Sequence, residues 1–410
     1  MRPYESLRTR QRAFKPPFLV REGGHQSLSS LRFLTAGPTS GWYNQGMRIT
    51  RVTARPWTLP LRAPFKIATR TAYEAQNVAI TVETEDEGIS GFGASAPVGY
   101  VTGDSVDSVI AKLTEFSPSL AGMDIRRRSR VTGPLQTWMS DAPAARAGLE
   151  MALYDAWAKS HGISLWDYFG GAIPVIRTDI TIPLTTPEEA RSLIAGYADV
   201  GLTTYKIKVG SEDGPTADLA RIAAIVDAAP RCRLRIDANQ AFSVDDAITF
   251  IHRLTQWSDV IELVEQPVAR DDTRGLWRVR QESDLPIFAD ESVCSPADAR
   301  HLIESDAVDG INIKLMKCGI EGAVDIIAQC RAHGIKLMIG CMLETSLGIT
   351  AAAFLSAGCG AFDYNDLDSQ RLLSPVPGLT AGFGELSDEI VISPDGHGWG
   401  CSVPSEIFLP

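Results

Sequence analysis

No stretch of this 410-residue chain is long and apolar enough to span a membrane as a helix. The longest uncharged run, residues 345–362, is mostly Ala, Gly, Ser and Thr, the composition of a buried helix. Histidine is scarce: there are six, and none forms an HExxH or other metal pair. The seven cysteines, at 232, 294, 318, 330, 341, 359 and 401, are odd in number, widely spaced and without a CxxC. That excludes a disulfide framework and a thiolate zinc site, and leads to the expectation of a reducing, cytoplasmic compartment. Positive charge is in deficit as well, with 39 Lys and Arg against 50 Asp and Glu and a net charge of −11. Such a chain repels phosphate backbones, so no nucleic-acid partner is expected. Gly and Pro, at 35 and 24, are near average usage, which excludes a collagen-like or wholly disordered chain. What remains is ordinary globular composition, 44% hydrophobic and 22% charged, at a length suited to two or three domains.

The first 46 residues stand apart. They hold seven Lys or Arg and only two acids, and are rich in Ser, Gly and Pro. Phe18-Leu19-Val20 is too short for a signal-peptide core and follows Pro16-Pro17. Residues 1–46 are therefore expected to be a poorly ordered basic extension with no part in the chemistry. A strand alternation begins at Met47-Arg48-Ile49-Thr50, which makes Met47 a natural start.

From about residue 180 short β-branched runs alternate with helical windows. The strand candidates are 179–184, 204–209, 232–237, 260–265, 286–291, 310–315, 336–341 and 362–366, recurring every 24 to 29 residues. Thr186-Pro187 and Ser295-Pro296 place a capping residue before a proline at the first helical position. Eight strands with seven crossovers predict a parallel sheet. Their near-constant spacing favours closure into a TIM-like (β/α)7β barrel over an open sheet. The expected organisation is an α+β capping domain at 47–173, the barrel at 174–374, and a segment at 375–410 that packs back on the capping domain.

The charged residues fall at strand ends. In Tyr205-Lys206-Ile207-Lys208-Val209 the alternation sends the apolar residues to the helices and both lysines into the barrel. A solvated edge strand is the competing reading, but the flanking residues are too apolar for it. The next three strands end in Asp237, Glu265 and Asp290. Neighbouring strands lie about 4.8 Å apart, so three carboxylates can converge on one point and need a cation. Asp at a strand end also caps the following helix, so each alone is ambiguous. Together, as hard oxygen donors without His or Cys, they favour Mg²⁺. Lys314 ends the sixth strand, which stands opposite the second in a barrel. Lys208 and Lys314 would then flank one carbon, the arrangement that two-base racemisation or epimerisation requires. A metal-held carboxylate would stabilise the ene-diolate. Crowding of positive charge is expected to lower the pKa values of Lys206 and Lys208.

Lys206-x-Lys208, Asp237-Ala238-Asn239, Glu265-Gln266-Pro267, Asp290-Glu291-Ser292 and Lys314, in that order, resemble the enolase superfamily in its muconate-lactonizing subgroup. Sites of that superfamily combine Lys or His bases with Mg²⁺. The likeness spans about residues 47–390, and the motif spacings resemble those of dipeptide epimerases. The resemblance implies Asp237, Glu265 and Asp290 as Mg²⁺ ligands. It makes Lys208 and Lys314 the bases and Lys206 a neutraliser of the enolate. Asp366-Leu367-Asp368 matches a pair that grips a substrate ammonium; a hydrogen-bonded loop is the plainer alternative. Phe65 to Arg70 resembles a loop that closes over the site in Ala-Glu epimerases, with Arg70 reading the glutamate side chain. A guanidinium suits a carboxylate, although a solvated Arg is the simpler reading. Met342 and Glu344 are expected to line the pocket. The implied reaction is Mg²⁺-dependent inversion of the C-terminal residue of a dipeptide, L-Ala-D/L-Glu favoured, as in murein peptide metabolism, by an enzyme expected to be a homo-oligomer.

Two departures stand out: Ile320 after Gly319, where relatives often carry a second Gly, and Lys66 in the closing loop. The rivals are a cycloisomerase, an o-succinylbenzoate synthase, an N-acyl amino acid racemase, a dipeptide epimerase of other preference, and a non-catalytic barrel binding a small acid. Gly91-Phe92-Gly93-Ala94-Ser95-Ala96 mimics a dinucleotide fingerprint, but Pro97 follows and no helix of the required kind opens.

Overall fold

The computed structural model describes residues 46–409. The expected extension, save Gly46, therefore lies outside the described residues. The chain opens with a three-stranded antiparallel sheet, β1 (Ile49–Ile67), β2 (Arg70–Thr84) and β3 (Ser90–Ser95). The strands run longer than the apolar alternation marks, because β1 continues past Pro60 and Pro64, and β2 through mostly polar residues, as a hairpin to an Ile67–Arg70 pair. On β2, Val78, Ile80 and Val82 face helices Val106–Leu120 and Pro143–His161. Ala75 and Ala79 join Trp57, Leu59 and Leu373 in a second cluster on the other face. The Gly91–Ala96 decoy lies in β3 and the residue after it, not in a phosphate-binding turn.

A short strand, β4 (Val175–Arg177), precedes eight parallel strands: β5 (Ile180–Ile182), β6 (Thr204–Lys208), β7 (Arg233–Asp237), β8 (Ile261–Glu265), β9 (Ile287–Ala289), β10 (Gly310–Lys314), β11 (Lys336–Gly340) and β12 (Tyr364–Asp366). Each pairs with its sequence neighbour, from β5 to β12 in order. The two ends are stitched by Leu367 N–H donating to Thr178 Oγ1 and Asn365 Nδ2 to the Arg177 carbonyl. The result is the expected α/β barrel, nearly closed. Thr186 caps helix Pro187–Asp199 in a reciprocal capping box with Glu189, and Ser295 caps Pro296–Glu304. The uncharged run forms the buried helix Ser346–Cys359. After the barrel, β13 (Phe383–Leu386) and β14 (Glu389–Ile392) form a sheet with β4. Trp399 then inserts against helix Pro143–His161, its Nε1 donating to the Met151 carbonyl. No helix among the described residues is long and apolar enough to cross a membrane.

Helix Pro143–His161 is buried on nearly all sides, so its charged residues are committed to particular contacts. Glu150 is one. The helix after β10, Leu315–His333, breaks at Gly319 (φ 71°, ψ −179°). A Cβ there would stand 2.5 Å from Glu150 Oε2, so the position requires glycine twice over. Glu150 then caps the resumed helix, accepting from Ile320 N–H at 2.6 Å. Ile320 itself is helical and buried, which explains why a second glycine is dispensable there. Burial pushes the Glu150 carboxyl up to about 7, against the pull of Arg146 and the helix N–H groups. The folded chain holds this proton more tightly than the unfolded chain, whose value is near 4.5. Stability should therefore rise as pH falls from about 7 to about 4.5, by on the order of 2–3 kcal/mol from this group. In urea unfolding at a series of pH values, Glu150→Gln should lose that component, whereas parallel curves would contradict it.

Candidate active site

Parallel register carries the strand-end residues to one layer. Lys208 pairs with Asp237 and Asp237 with Glu265, while across the barrel Lys314 pairs with Gly340 and Gly340 with Asp366. Tyr205, Ile207 and Val209 join the core between barrel and helices, so Lys206 and Lys208 turn inward as the alternation predicts. Lys206 is 1% exposed, with its Nζ 2.7 Å from Asp366, 2.8 Å from Glu265 and 3.0 Å from Asp237. Lys208 reaches Asp237 at 2.6 Å. Its backbone carbonyl accepts from Arg221, which is itself paired to Asp218 at 2.9 Å. Lys314 reaches Asp290 at 2.8 Å. Gly340 makes room for it, since a Cβ there would come within 3.0 Å of Lys314 Cε.

Lys208 and Lys314 thus hold different carboxylates and line one cleft. Phe65, Arg70, Lys206, Asp290, Met342, Asp366 and Asp368 line it too. Asp237 and Glu265 are fully buried and meet the cleft through the lysines. Glu344 is not brought in: it folds back so that its Oε1 accepts from Met342 N–H, while Leu343 and Cys341 take the lining positions. Phe65 to Arg70 is not an irregular loop but the tip of the β1–β2 hairpin, with Phe65 paired to Ala72 and Ile67 to Arg70.

The expectation of lowered lysine pKa values does not hold for Lys206. Burial pulls its ammonium down, but Asp237, Asp366, Glu265 and Asp290 outweigh that and hold it well above the usual range. Lys314 is likewise raised, since Asp290 overcomes burial and the neighbouring Lys206. The crowding is of negative charge, because carboxylates outnumber the buried cations around the cleft. Burial, reinforced by Asp237, pushes Glu265 up to about 8, and burial with Asp290 and Asp237 pushes Glu291 up to about 7.

Residues 48–170 match the mandelate racemase/muconate lactonizing enzyme N-terminal domain, and residues 188–407 the enolase C-terminal domain-like family. The chain belongs to the enolase superfamily. It is 39% identical over 330 residues to the L-Ala-D/L-Glu epimerase of Bacillus subtilis, covering 80% of this chain and 90% of that one. The substrate-liganded structure of the Bacillus subtilis L-Ala-D/L-Glu epimerase superposes with a TM-score of 0.83 at 36% identity, over 86% and 98% of the two chains. The Enterococcus faecalis dipeptide epimerase, solved with Mg and the dipeptide L-Leu-L-Tyr, gives a TM-score of 0.82 at 35% identity over 87% and 100%.

An enolase-superfamily site needs oxygen donors for a divalent cation, and two acidic groups compete for that part here. Asp179, Asp366 and Asp368 already bring their oxygens within 4.8 Å of one another. Yet Asp179 is paired to Arg235 at 2.8 Å, Asp366 to Lys206, and Asp368 accepts from Thr181 N–H at 2.6 Å. Asp237, Glu265 and Asp290 are the other group, spread by lysines between them. Their donor chemistry fits Mg²⁺: three buried carboxylates at the ends of three successive strands, with no His or Cys among them. Lys317 and Asn312 steer this set from outside. Lys317 Nζ lies 2.6 Å from Asp290 Oδ1, and Asn312 Nδ2 donates to Glu265 Oε1 at 2.8 Å.

Sequence reasoning missed these two, together with Arg235, Asp179, Tyr100 and Thr181. Asn312 alternates inward with Lys314, and Arg235 with Asp237, so strand periodicity could have found both. Lys317 falls in a turn before a helix, where a lysine reads as solvated. Asn239 and Glu291 stood inside the quoted motifs, and they pair at 3.2 Å beside the cleft.

Proposed function

We propose that this chain is a Mg²⁺-dependent dipeptide epimerase that inverts the α-carbon of a C-terminal residue, with L-Ala-D/L-Glu as preferred substrate. The observation that carries the reading is that Lys208 and Lys314 enter one cleft from the second and sixth strands of the barrel, with acidic groups between them. Asp237, Glu265 and Asp290 would hold Mg²⁺, which when bound supplies Lewis-acid stabilisation of the charge on the substrate carboxylate. One lysine withdraws the α-proton from its face and the other returns a proton to the opposite face. Lys206 adds positive charge beside the developing enolate. Asp366 and Asp368 receive the substrate ammonium. Burial and Asp366 hold the Asp368 carboxyl up, so a cation arriving there relieves charge repulsion. Arg70 meets the distal carboxylate. The seven free thiols suit a reducing compartment, which we take to be the cytoplasm.

A dipeptide with an apolar side chain is the second reading. It is favoured by Phe65, Ile67, Val98, Tyr100, Met342 and Leu343, which line the cleft together with Arg70. Proton NMR in D₂O with Mg²⁺ and a panel of L-Ala-L-X dipeptides separates the two. Exchange of the C-terminal α-proton of L-Ala-L-Glu, abolished by EDTA, is expected. Exchange only with apolar X would keep the mechanism and dismiss Arg70 as the selector. Exchange only with N-acyl amino acids would overturn the dipeptide reading.

A further inference from the structure

Arg70 is a long, exposed side chain on a hairpin tip, an unfavourable place from which to select a ligand. Fixing it on binding costs rotamer entropy, which weakens discrimination. Among the described residues it has no carboxylate partner. Its guanidinium instead lies over the Tyr100 ring, 4.8 Å from the centroid. We propose that Tyr100 is a specificity-determining positioning residue, presenting Arg70 to substrates with an anionic C-terminal side chain. The proposal rests on the acidic-side-chain reading above.

The two residues come from different segments. Tyr100 sits in the turn Gly99–Thr102, closed at Gly103 by a left-handed backbone (φ 79°). Val101 and Thr102 N–H both donate to the Val98 carbonyl at 2.8 Å. The Val101 carbonyl accepts from Arg270 Nη1 at 3.2 Å, tying the turn to the barrel loop after β8. Tyr100 has few rotamers and a fixed backbone, so its ring face is a pre-set platform. Tyr100 is 46% exposed and both residues line the cleft, so the pair faces the substrate space rather than the core. A guanidinium stacked on a ring keeps its N–H edge free for a carboxylate, whereas a carboxylate partner would have consumed it.

The experiment measures kcat/KM for L-Ala-L-Glu and L-Ala-L-Leu in unaltered protein, Tyr100→Leu, Tyr100→Phe and Arg70→Met, each as the full chain with Mg²⁺. A cation–π contact at a partly exposed site predicts that Tyr100→Leu lowers the Glu-over-Leu ratio about three- to fivefold, mainly through KM for L-Ala-L-Glu. Tyr100→Phe keeps the ring face and should hold the ratio within twofold. An unchanged ratio in Tyr100→Leu, or an equal fall in Tyr100→Phe, overturns the proposal while Arg70→Met still collapses the ratio. If Arg70→Met leaves the ratio unchanged, the acidic-side-chain reading fails and the role of Tyr100 falls with it.

Discussion

Lys208→Ala and Lys314→Ala are each expected to lower epimerisation by roughly 10²–10⁴-fold, the range for losing a positioned acid or base. Removing both should cost little more than removing one, because either loss breaks the same two-face exchange. Polarimetry of a dipeptide against time reads this directly. The magnitude follows from the geometry: among the described residues no other lysine is placed to substitute. Lys206 is enclosed by Asp366, Glu265 and Asp237 within 3.0 Å, and Lys317 is held between Asp290 and the Asn312 carbonyl. Each variant should retain its fold, since the carboxylate it abandons keeps a second cation: Lys206 for Asp237, Lys317 for Asp290. A barrel that merely binds a small acid would survive Lys208→Ala with its function intact. Full activity in either variant would remove that lysine from the mechanism.

Glu265→Gln is expected to weaken Mg²⁺ binding about 100-fold or more and to abolish activity at ordinary metal concentrations. Asp368→Asn should leave metal affinity within about twofold and raise KM for the dipeptide instead. The contrast decides between the two acidic clusters. Asp179, Asp366 and Asp368 are nearer one another, and Arg235, Lys206 and the Thr181 N–H partner them. Glu265 also meets Lys206, at 2.8 Å, but it stands with Asp237 and Asp290 at the ends of three successive strands, in the set that Lys208 and Lys314 reach from either side. Calorimetric titration with Mg²⁺, or Mn²⁺ bound in its place and followed by electron paramagnetic resonance, measures affinity without turnover. In the unaltered chain, Mg²⁺ should also raise the thermal midpoint, because the folded site binds it and the unfolded chain does not. Metal lost in Asp368→Asn but retained in Glu265→Gln would reverse the assignment.

The barrel was legible because its signal repeats. Eight apolar runs at near-constant spacing leave few alternatives, and the inward lysines announce themselves by alternating with Tyr205, Ile207 and Val209. The capping sheet extends beyond the expected strands because Pro60 and Pro64 interrupt the β1 arm and residues 70–77 of β2 are mostly polar, so neither arm reads as a strand. Pairing between β1 and β2 holds those residues extended, with Leu59 and its partner Ala75 buried on one face. Charge balance was the weakest inference. Strand ends give the position of each carboxylate but not the total around the cleft, so the carboxylates that raise Lys206 were undercounted. Asp179 opens the first strand candidate and Glu291 closes the fifth, and neither position marks its side chain as one that faces the lysines. Glu344 was placed in the pocket by its neighbours in sequence, yet a tight turn folds it away and exposes Leu343 in its stead. The pairing of Arg70 with Tyr100 joins segments 30 residues apart and has no local signature.

The central claim is that two lysines serve opposite faces of one carbon. It is tested most directly by incubating L-Ala-L-Glu and L-Ala-D-Glu separately in D₂O with Mg²⁺ and each single lysine variant. Loss of the C-terminal α-proton signal is followed by NMR. The account predicts a reciprocal pattern: one variant exchanges the α-proton of only one epimer, the other variant that of only the other, and neither interconverts them. If both variants fail on the same epimer and exchange the other equally, the lysines act on one face and the two-base account is wrong.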